Sequence, residues 1–338
     1  MTAAAAARRE PITHLVAYLF GRSLFGVLQL LPLRAARAVG RALGGLFWHL
    51  SPRHRQVALA NLDAALGATL PAERRVAIAR ASFAHMGTII GDATHFRDHL
   101  RRPSERLVVY QGVDHLKAAA AAGKGVLVFS GHFGHWEMVA LLQHRLGVPM
   151  TMVVAPLVNR RWDRFITHLR SAPGNTILSK RNAARPILKA LRQGRAIAIL
   201  IDQNVRGAGG LFIDFFGRPA STTPALATLA FRSGAPIVPV FSWFRPDGRL
   251  HVAYGPPITA ERRGLIDDDV RDLMRACTAR LEEEIRRRPE SWLWMHDRWR
   301  TRPRPGAGGA AATVPPRDAA DLALPSAGPG TGAVEAHR

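Results

Sequence analysis

Apolar positions follow two regimes along the chain. Over residues 12–33 they run almost unbroken, about the 20 residues that a bilayer-crossing helix needs. His14, Tyr18, Arg22, Gly26 and Gln29 interrupt the run at helical spacing, within an arc of about 120°. An arginine near the middle of an inserting helix costs on the order of 3 kcal/mol. The pattern therefore predicts an apolar helix lying in the membrane interface, its polar stripe turned toward the protein. A buried amphipathic helix of a soluble protein has the same periodicity. Arg34, Arg37 and Arg41, then Arg53, His54 and Arg55, place basic groups beside it. An anionic leaflet attracts such groups at about 1 kcal/mol each, although a solvated helix face reads the same way. Pro71 and Glu73 open another helical pattern toward Phe96, with Ala77, Ile78, Phe83 and Met86 as its apolar positions.

From Leu107 the pattern changes to strand, loop, helix. Residues 126–130, 151–155, 196–201, 237–243 and 250–254 read as strands, and helical patterns separate the first four. That alternation predicts a single α/β domain with a mostly parallel central sheet flanked by helices, plus the N-terminal apolar membrane-associated helix. The last two strands are expected to turn as a hairpin at Pro246-Asp247-Gly248. Three regions result: a membrane-associated helical part over 1–50, the α/β domain over 51–302, and a disordered Pro/Ala/Gly-rich tail over 303–338. Residues 2–11 are a low-complexity lead-in, with no small-residue cleavage site of the secretory kind after a short apolar core.

Gly131-His132-Phe133-Gly134-His135-Trp136-Glu137 follows the first strand, where open α/β sheets carry their chemistry. On one continuous helix, positions five apart diverge by roughly 140°, so His132 and Glu137 could not meet. A loop between strand and helix lets them converge. The expectation is a catalytic pair, with Glu137 holding one ring nitrogen of His132 and the other left free as a base. A positioned base contributes on the order of a hundred- to ten-thousand-fold in rate. A hydrogen-bonded structural histidine is the plainer alternative. His132, His135 and Glu137 could also ligate a metal, but they lack the H-E-x-x-H pattern and no second ligand cluster follows. Neither metal nor other cofactor is expected. His135 is expected at the helix N-terminus, packing or donating a hydrogen bond.

The chain has 338 residues, 47% of them hydrophobic, enough for one α/β domain with appendages. Its formal net charge of +22 points to an anionic partner, whether nucleic acid, lipid head group, phosphorylated substrate or acidic carrier protein. Only four of the 47 basic residues are lysine, and the arginine bias keeps any single Arg from reading as a phosphate ligand. One cysteine, Cys277, rules out an intrachain disulfide and fits a reducing compartment. It falls in a helical pattern over 267–288, as a packing residue.

Three further constellations stand out. Asn159-Arg160-Arg161 and Asp163 open a helix carrying Arg170, whose guanidinium could clamp a phosphate or support an oxyanion. Asp202-Gln203-Asn204 ends a buried strand, on the same sheet edge as His132 if the strands are parallel. Phe212, Phe215, Phe216 and Gly217, with Thr222-Thr223-Pro224, could line an acyl path and begin a helix, with core packing as the competitor. Trp292, Trp294, Met295 and Trp299 read as an amphipathic closure or an interfacial belt.

Taken in this order, these segments resemble the late acyltransferases of lipid A biosynthesis, of lauroyl or myristoyl transferase type, within the lysophospholipid acyltransferase-like superfamily. The likeness spans about residues 12–302 and rests on the apolar helix, the His132-x4-Glu137 box, residues 159–174, Asp202-Gln203, Phe215-Phe216-Gly217 with Thr222-Thr223, and the Trp-rich close. The resemblance implies transfer of a fatty acyl chain from an acyl carrier protein thioester, or acyl-CoA, to a hydroxyl of a lipid A precursor or similar glycolipid. It implies His132 as general base with Glu137 as acidic partner, and Arg170, Asn159, Asp202 and Gln203 on the substrates. It places the enzyme at the cytoplasmic face of the inner membrane, against an anionic surface and without nucleic acid.

The mannolipid and glycerolipid acyltransferases share the box and remain the alternative acceptor classes. Two rivals of other classes are a non-catalytic basic membrane- or nucleic-acid-binding protein, and a hydrolase using the same dyad on water. The long tail and the extra His135 depart from the family pattern.

Overall fold

A computed structural model describes residues 11–180 and 183–303. Apart from Pro303, the tail expected over 303–338 lies outside the described residues, as do residues 2–10 of the lead-in. The helical part comprises α1 (Ile12–Leu30), α2 (Leu33–Leu50), α3 (Pro52–Leu66), α4 (Ala72–Ala93) and α5 (Phe96–Arg101). The helix expected over 12–33 ends earlier because Pro32 forces the residue before it out of the helical region, and Leu31 is extended. No described helix is long and apolar enough to cross a membrane. Helices α2 and α4 touch along small residues. A Cβ on Gly40 would enter the Gly87 backbone, and one on Gly91 would meet Ala36.

The α/β part follows in chain order: β1 (Val108–Gln111), α6 (Val113–Ala121), β2 (Val126–Ser130), α7 (Trp136–Leu142), β3 (Met150–Val154), α8 (Arg160–Ser171), β4 (Thr176–Ser179), α9 (Ala184–Arg192) and β5 (Ala196–Leu200). It continues with β6 (Leu211–Phe215), β7 (Arg218–Thr222), α10 (Ala225–Ser233), β8 (Ile237–Phe244), β9 (Leu250–Tyr254) and α11 (Ile266–Arg287). Seven strands form the central sheet in the order β1-β9-β8-β2-β5-β3-β4. From β8 to β4 every pairing is parallel; β9 returns antiparallel to β8 through the turn at 246–248, and β1 runs parallel to β9. The fold is thus a single α/β domain with a mostly parallel sheet between helices.

Two short edge strands, β1 and β4, escape the sequence pattern because each has four residues and only partial burial. Residues 211–222 form the hairpin β6–β7, and the helix expected to begin at Thr222-Thr223-Pro224 follows it as α10, with Pro224 at its N-cap. Phe216 and Gly217 both adopt positive φ, 53° and 71°, as a tight hairpin turn requires. Phe215 is completely buried, with its ring 5.4 Å from Trp292, so core packing accounts for it. Trp292 and Trp294 are likewise buried and close the core instead of forming an interfacial belt. Cys277 packs inside α11, where burial pushes its thiol up to about 12.

Candidate active site

Strands β2 and β5 are neighbours, with Ser130 opposite Leu200. His132 and Asp202 each lie two residues beyond that pair, so parallel register sets them side by side. Nδ1 of His132 donates to Oδ1 of Asp202 at 2.8 Å, and the backbone N–H of His132 donates to Oδ2 at 2.7 Å. The indole N–H of Trp292 donates to the same Oδ2 at 2.8 Å. Burial alone would raise the Asp202 pKa, but the charge of His132 and these donors overcome it, and the carboxyl is held far below the ordinary range.

An ionised carboxylate only accepts, so the proton on His132 sits on Nδ1 and Nε2 carries the lone pair. That nitrogen faces the amide Nε2 of exposed Gln203 at 3.3 Å, and the imidazole side chain is 17% exposed.

The carboxylate at the ring is therefore Asp202, which corrects the expected contact between His132 and Glu137. Glu137 instead accepts two bonds from Arg170, from Nε at 2.9 Å and Nη2 at 2.5 Å. Burial would raise the Glu137 pKa; the Arg170 fork outweighs it and holds the carboxyl low, with smaller help from the charges of His135 and His132. Arg170 thus spends half its fork on Glu137, while its Nη1 bonds no described residue. Asn159, expected on the substrates, is engaged within the fold. Its Oδ1 caps α8, accepting from the Arg161 and Trp162 amides, and its Nδ2 donates to the His14 carbonyl.

The loop is anchored by the chain's closing segment. Phe133 bridges Trp292, the Gly134 amide donates to Ser291 O at 2.8 Å, and the Leu293 amide donates to His132 O at 3.1 Å. Gly134 has φ of 58°, and a Cβ there would collide with the Ser242 carbonyl. Behind the loop His135 is fully buried at the N-cap of α7. Its Nδ1 accepts from the Met138 amide and its Nε2 donates to Asp92 at 3.0 Å. Asp92 also accepts from Nε2 of His99 at 3.1 Å and pairs with Arg37, which reaches on to the Gly248 carbonyl. Burial would raise the Asp92 pKa; the His135 and His99 bonds reverse it, and the carboxyl stays well below its usual range. His135, His99, Asp92 and Arg37 are brought together from four separate elements. Only His135 was visible as a candidate in the sequence.

A small apolar cavity of about 30 Å³ adjoins the loop. Val128, Phe129 and Ser130 of β2, Trp136 and Val139 of α7 and Leu200 of β5 line it, and the Trp136 and His132 ring centroids stand 5.0 Å apart in an edge-on arrangement. No group of three described His, Cys, Asp or Glu residues is arranged to hold a metal ion. A base with a braced imidazole beside a carbon-lined cavity suits proton removal from an alcohol next to an aliphatic chain.

The family model for bacterial lipid A biosynthesis acyltransferase matches residues 5–301. A lipid A biosynthesis acyltransferase of Haemophilus influenzae is 26% identical over 281 residues, 82% of this chain and 85% of that protein. The lipid A biosynthesis palmitoleoyltransferase of Escherichia coli is 28% identical over 290 residues, 84% and 91% of the two chains. A phosphatidylinositol mannoside acyltransferase of Mycobacterium tuberculosis is 28% identical over 205 residues, 59% of this chain and 62% of that protein.

Proposed function

The chain belongs to the bacterial lipid A biosynthesis acyltransferases and is an acyltransferase, and from that premise we propose that it transfers a fatty acyl chain from a thioester to a hydroxyl of a lipid A-type glycolipid. The observation that carries the mechanism is the His132–Asp202 pair, with Nδ1 committed to the carboxylate and the Nε2 lone pair shared only with the exposed Gln203 amide. Nε2 takes the proton of the acceptor hydroxyl as its oxygen attacks the thioester carbonyl. The new C–O bond forms, the tetrahedral oxyanion collapses, the C–S bond breaks, and the imidazolium returns its proton to the departing thiolate. Asp202 keeps the tautomer and stabilises the transient imidazolium. Gln203 moves off Nε2 as the acceptor enters.

The free Nη1 of Arg170 is the donor for the oxyanion, with Glu137 fixing the guanidinium plane and adding its charge to the imidazolium's surroundings. The carbon-lined hollow under Trp136 offers the acyl chain an apolar contact beside the base. An acidic acyl carrier protein suits the net charge of +22 better than a neutral donor would. Exposed Ile12, Val16, Phe20, Val27 and Leu30 on α1 support a reading in which that helix lies in the interface of the inner membrane's cytoplasmic leaflet. The mannolipid relative keeps a second acceptor class in view.

Purified His132→Ala protein is expected to fold and to bind membranes while losing transfer from acyl carrier protein to glycolipid. Unchanged transfer would overturn the role of His132. Assays with and without glycolipid separate transfer from thioester hydrolysis, and mass spectrometry of membrane lipids from cells with and without the protein identifies the acceptor.

A further inference from the structure

The polar stripe of α1 turns toward α8. Tyr18 sits edge-on to Trp162, and the Arg22 guanidinium lies over the Phe165 ring at 4.1 Å and near Phe25 at 5.4 Å. Arg22 is half-buried, yet no described carboxylate pairs with it. It lines a small open cleft of about 50 Å³ together with Gln29 of α1, Arg97 of α5 and Leu169 of α8. Thr94, Phe25, Phe96 and Phe165 complete the wall, so no acidic side chain lines it. The cleft residue Gln29 lies on α1 between the exposed apolar side chains of Val27 and Leu30, and Leu169 precedes Arg170, the residue that grips Glu137.

An aliphatic side chain at position 22 would pack on Phe165 without the expense of partly desolvating a charge. The guanidinium and its neighbour Arg97 offer a forked set of donors with no protein anion to take them. Carbon walls below and an apolar helix face beside them select an amphiphile, not a free ion. We propose that the cleft between α1, α5 and α8 binds the phosphate of a phosphorylated amphiphile, with Arg22 and Arg97 on the phosphate and the aliphatic part along α1. The phosphate can come from the acceptor glycolipid or from a bilayer phospholipid. Choosing between those sources rests on the proposed acyl transfer; the binding itself does not.

The test titrates the full chain with octyl phosphate and with octyl glucoside, both below micelle-forming concentration. Wild-type protein is expected to prefer the phosphate, and Arg22→Met to erase that preference with a loss of about tenfold. Arg22→Lys should retain most of it. Arg275→Gln, which removes an equal charge from an exposed position on α11, should not change it. If Arg22→Met and Arg275→Gln behave alike, bulk charge explains the binding and the site is overturned. Equal weakening of both amphiphiles by Arg22→Met also overturns it, because then only packing was lost.

The source is read from kinetics and vesicles. An acceptor phosphate predicts that Arg22→Met removes the KM advantage of a phosphorylated acceptor over its dephosphorylated form. A bilayer phosphate predicts that this advantage stays while binding to vesicles containing phosphatidic acid falls. If neither changes, no phosphate amphiphile uses the cleft.

Discussion

Nδ1 of His132 donates to Asp202, 70 residues away in sequence, across the ends of two adjacent parallel strands. Both oxygens of the carboxylate are engaged, one by the ring and the other by the His132 amide and the Trp292 indole. Loop, ring and tautomer are therefore held by one group. Asp202→Asn keeps the shape but supplies an amide that can present its N–H to Nδ1 and so favour the wrong tautomer. Steady-state transfer is expected to fall by on the order of 10²- to 10⁴-fold in kcat with little change in KM. A variant with wild-type kcat would remove Asp202 from the mechanism.

Trp292→Phe preserves most of the packing and deletes one donor to Asp202. Its carboxylate is then less stabilised, and the expected cost is about 1–3 kcal/mol in urea unfolding. A smaller fall in kcat than that of Asp202→Asn should accompany it.

Glu137 and Arg170 form a largely buried ion pair joining α7 to α8. Removing one partner strands the other charge, so Glu137→Leu and Arg170→Leu should each destabilise by about 3–5 kcal/mol. The double variant should cost less than either single change. Denaturant unfolding of the four proteins gives the coupling directly, and simple additivity would show the pair to be screened by solvent.

His85 and His296 are both lowered by burial, from 6.5 to about 4. Each is neutral in the folded protein and gains a proton near pH 6.5 when unfolded. Between those values the unfolded state binds more protons, so stability rises with pH. Their contribution is complete above about pH 6.5 and drains as pH falls toward about 4, at up to about 1.4 kcal/mol per pH unit for each residue. Asp92, Asp202 and Glu137, all held low, act in the same direction but only below about pH 4. Urea midpoints measured from pH 7 to pH 4.5 should fall steadily, and His85→Gln should flatten the slope by one residue's share.

Gly134→Ala places a Cβ against the Ser242 carbonyl at a positive φ. The box loop must then shift or unfold, and stability should drop by about 2 kcal/mol or more. Thermal unfolding of the purified variant measures it. A neutral result would mean that Ser242 gives way.

The five buried strands β2, β3, β5, β8 and β9 and the α/β class were legible in local pattern, because an apolar run of five residues ending in polar ones reads the same wherever it sits. The box at 131–137 announced His132, and the polar strand end at 202–204 announced Asp202, each as a candidate site residue. That the two touch could not be read off. Contact depended on β5 lying next to β2, and strand order is set by packing of the whole sheet.

The same limit explains Glu137. Spacing brought it near His132 in sequence, while the α7–α8 contact turned it to Arg170. The buried Asp92 cluster was illegible for the same reason, since Arg37, Asp92, His99 and His135 come from four elements that only the folded core assembles. Sequence by itself determined which residues carry reactive groups and which segments form elements, since both depend on side-chain chemistry and local periodicity. Tertiary structure decided which carboxylate meets which cation or imidazole, because a buried charge takes its partner from whatever the packing brings within hydrogen-bond reach.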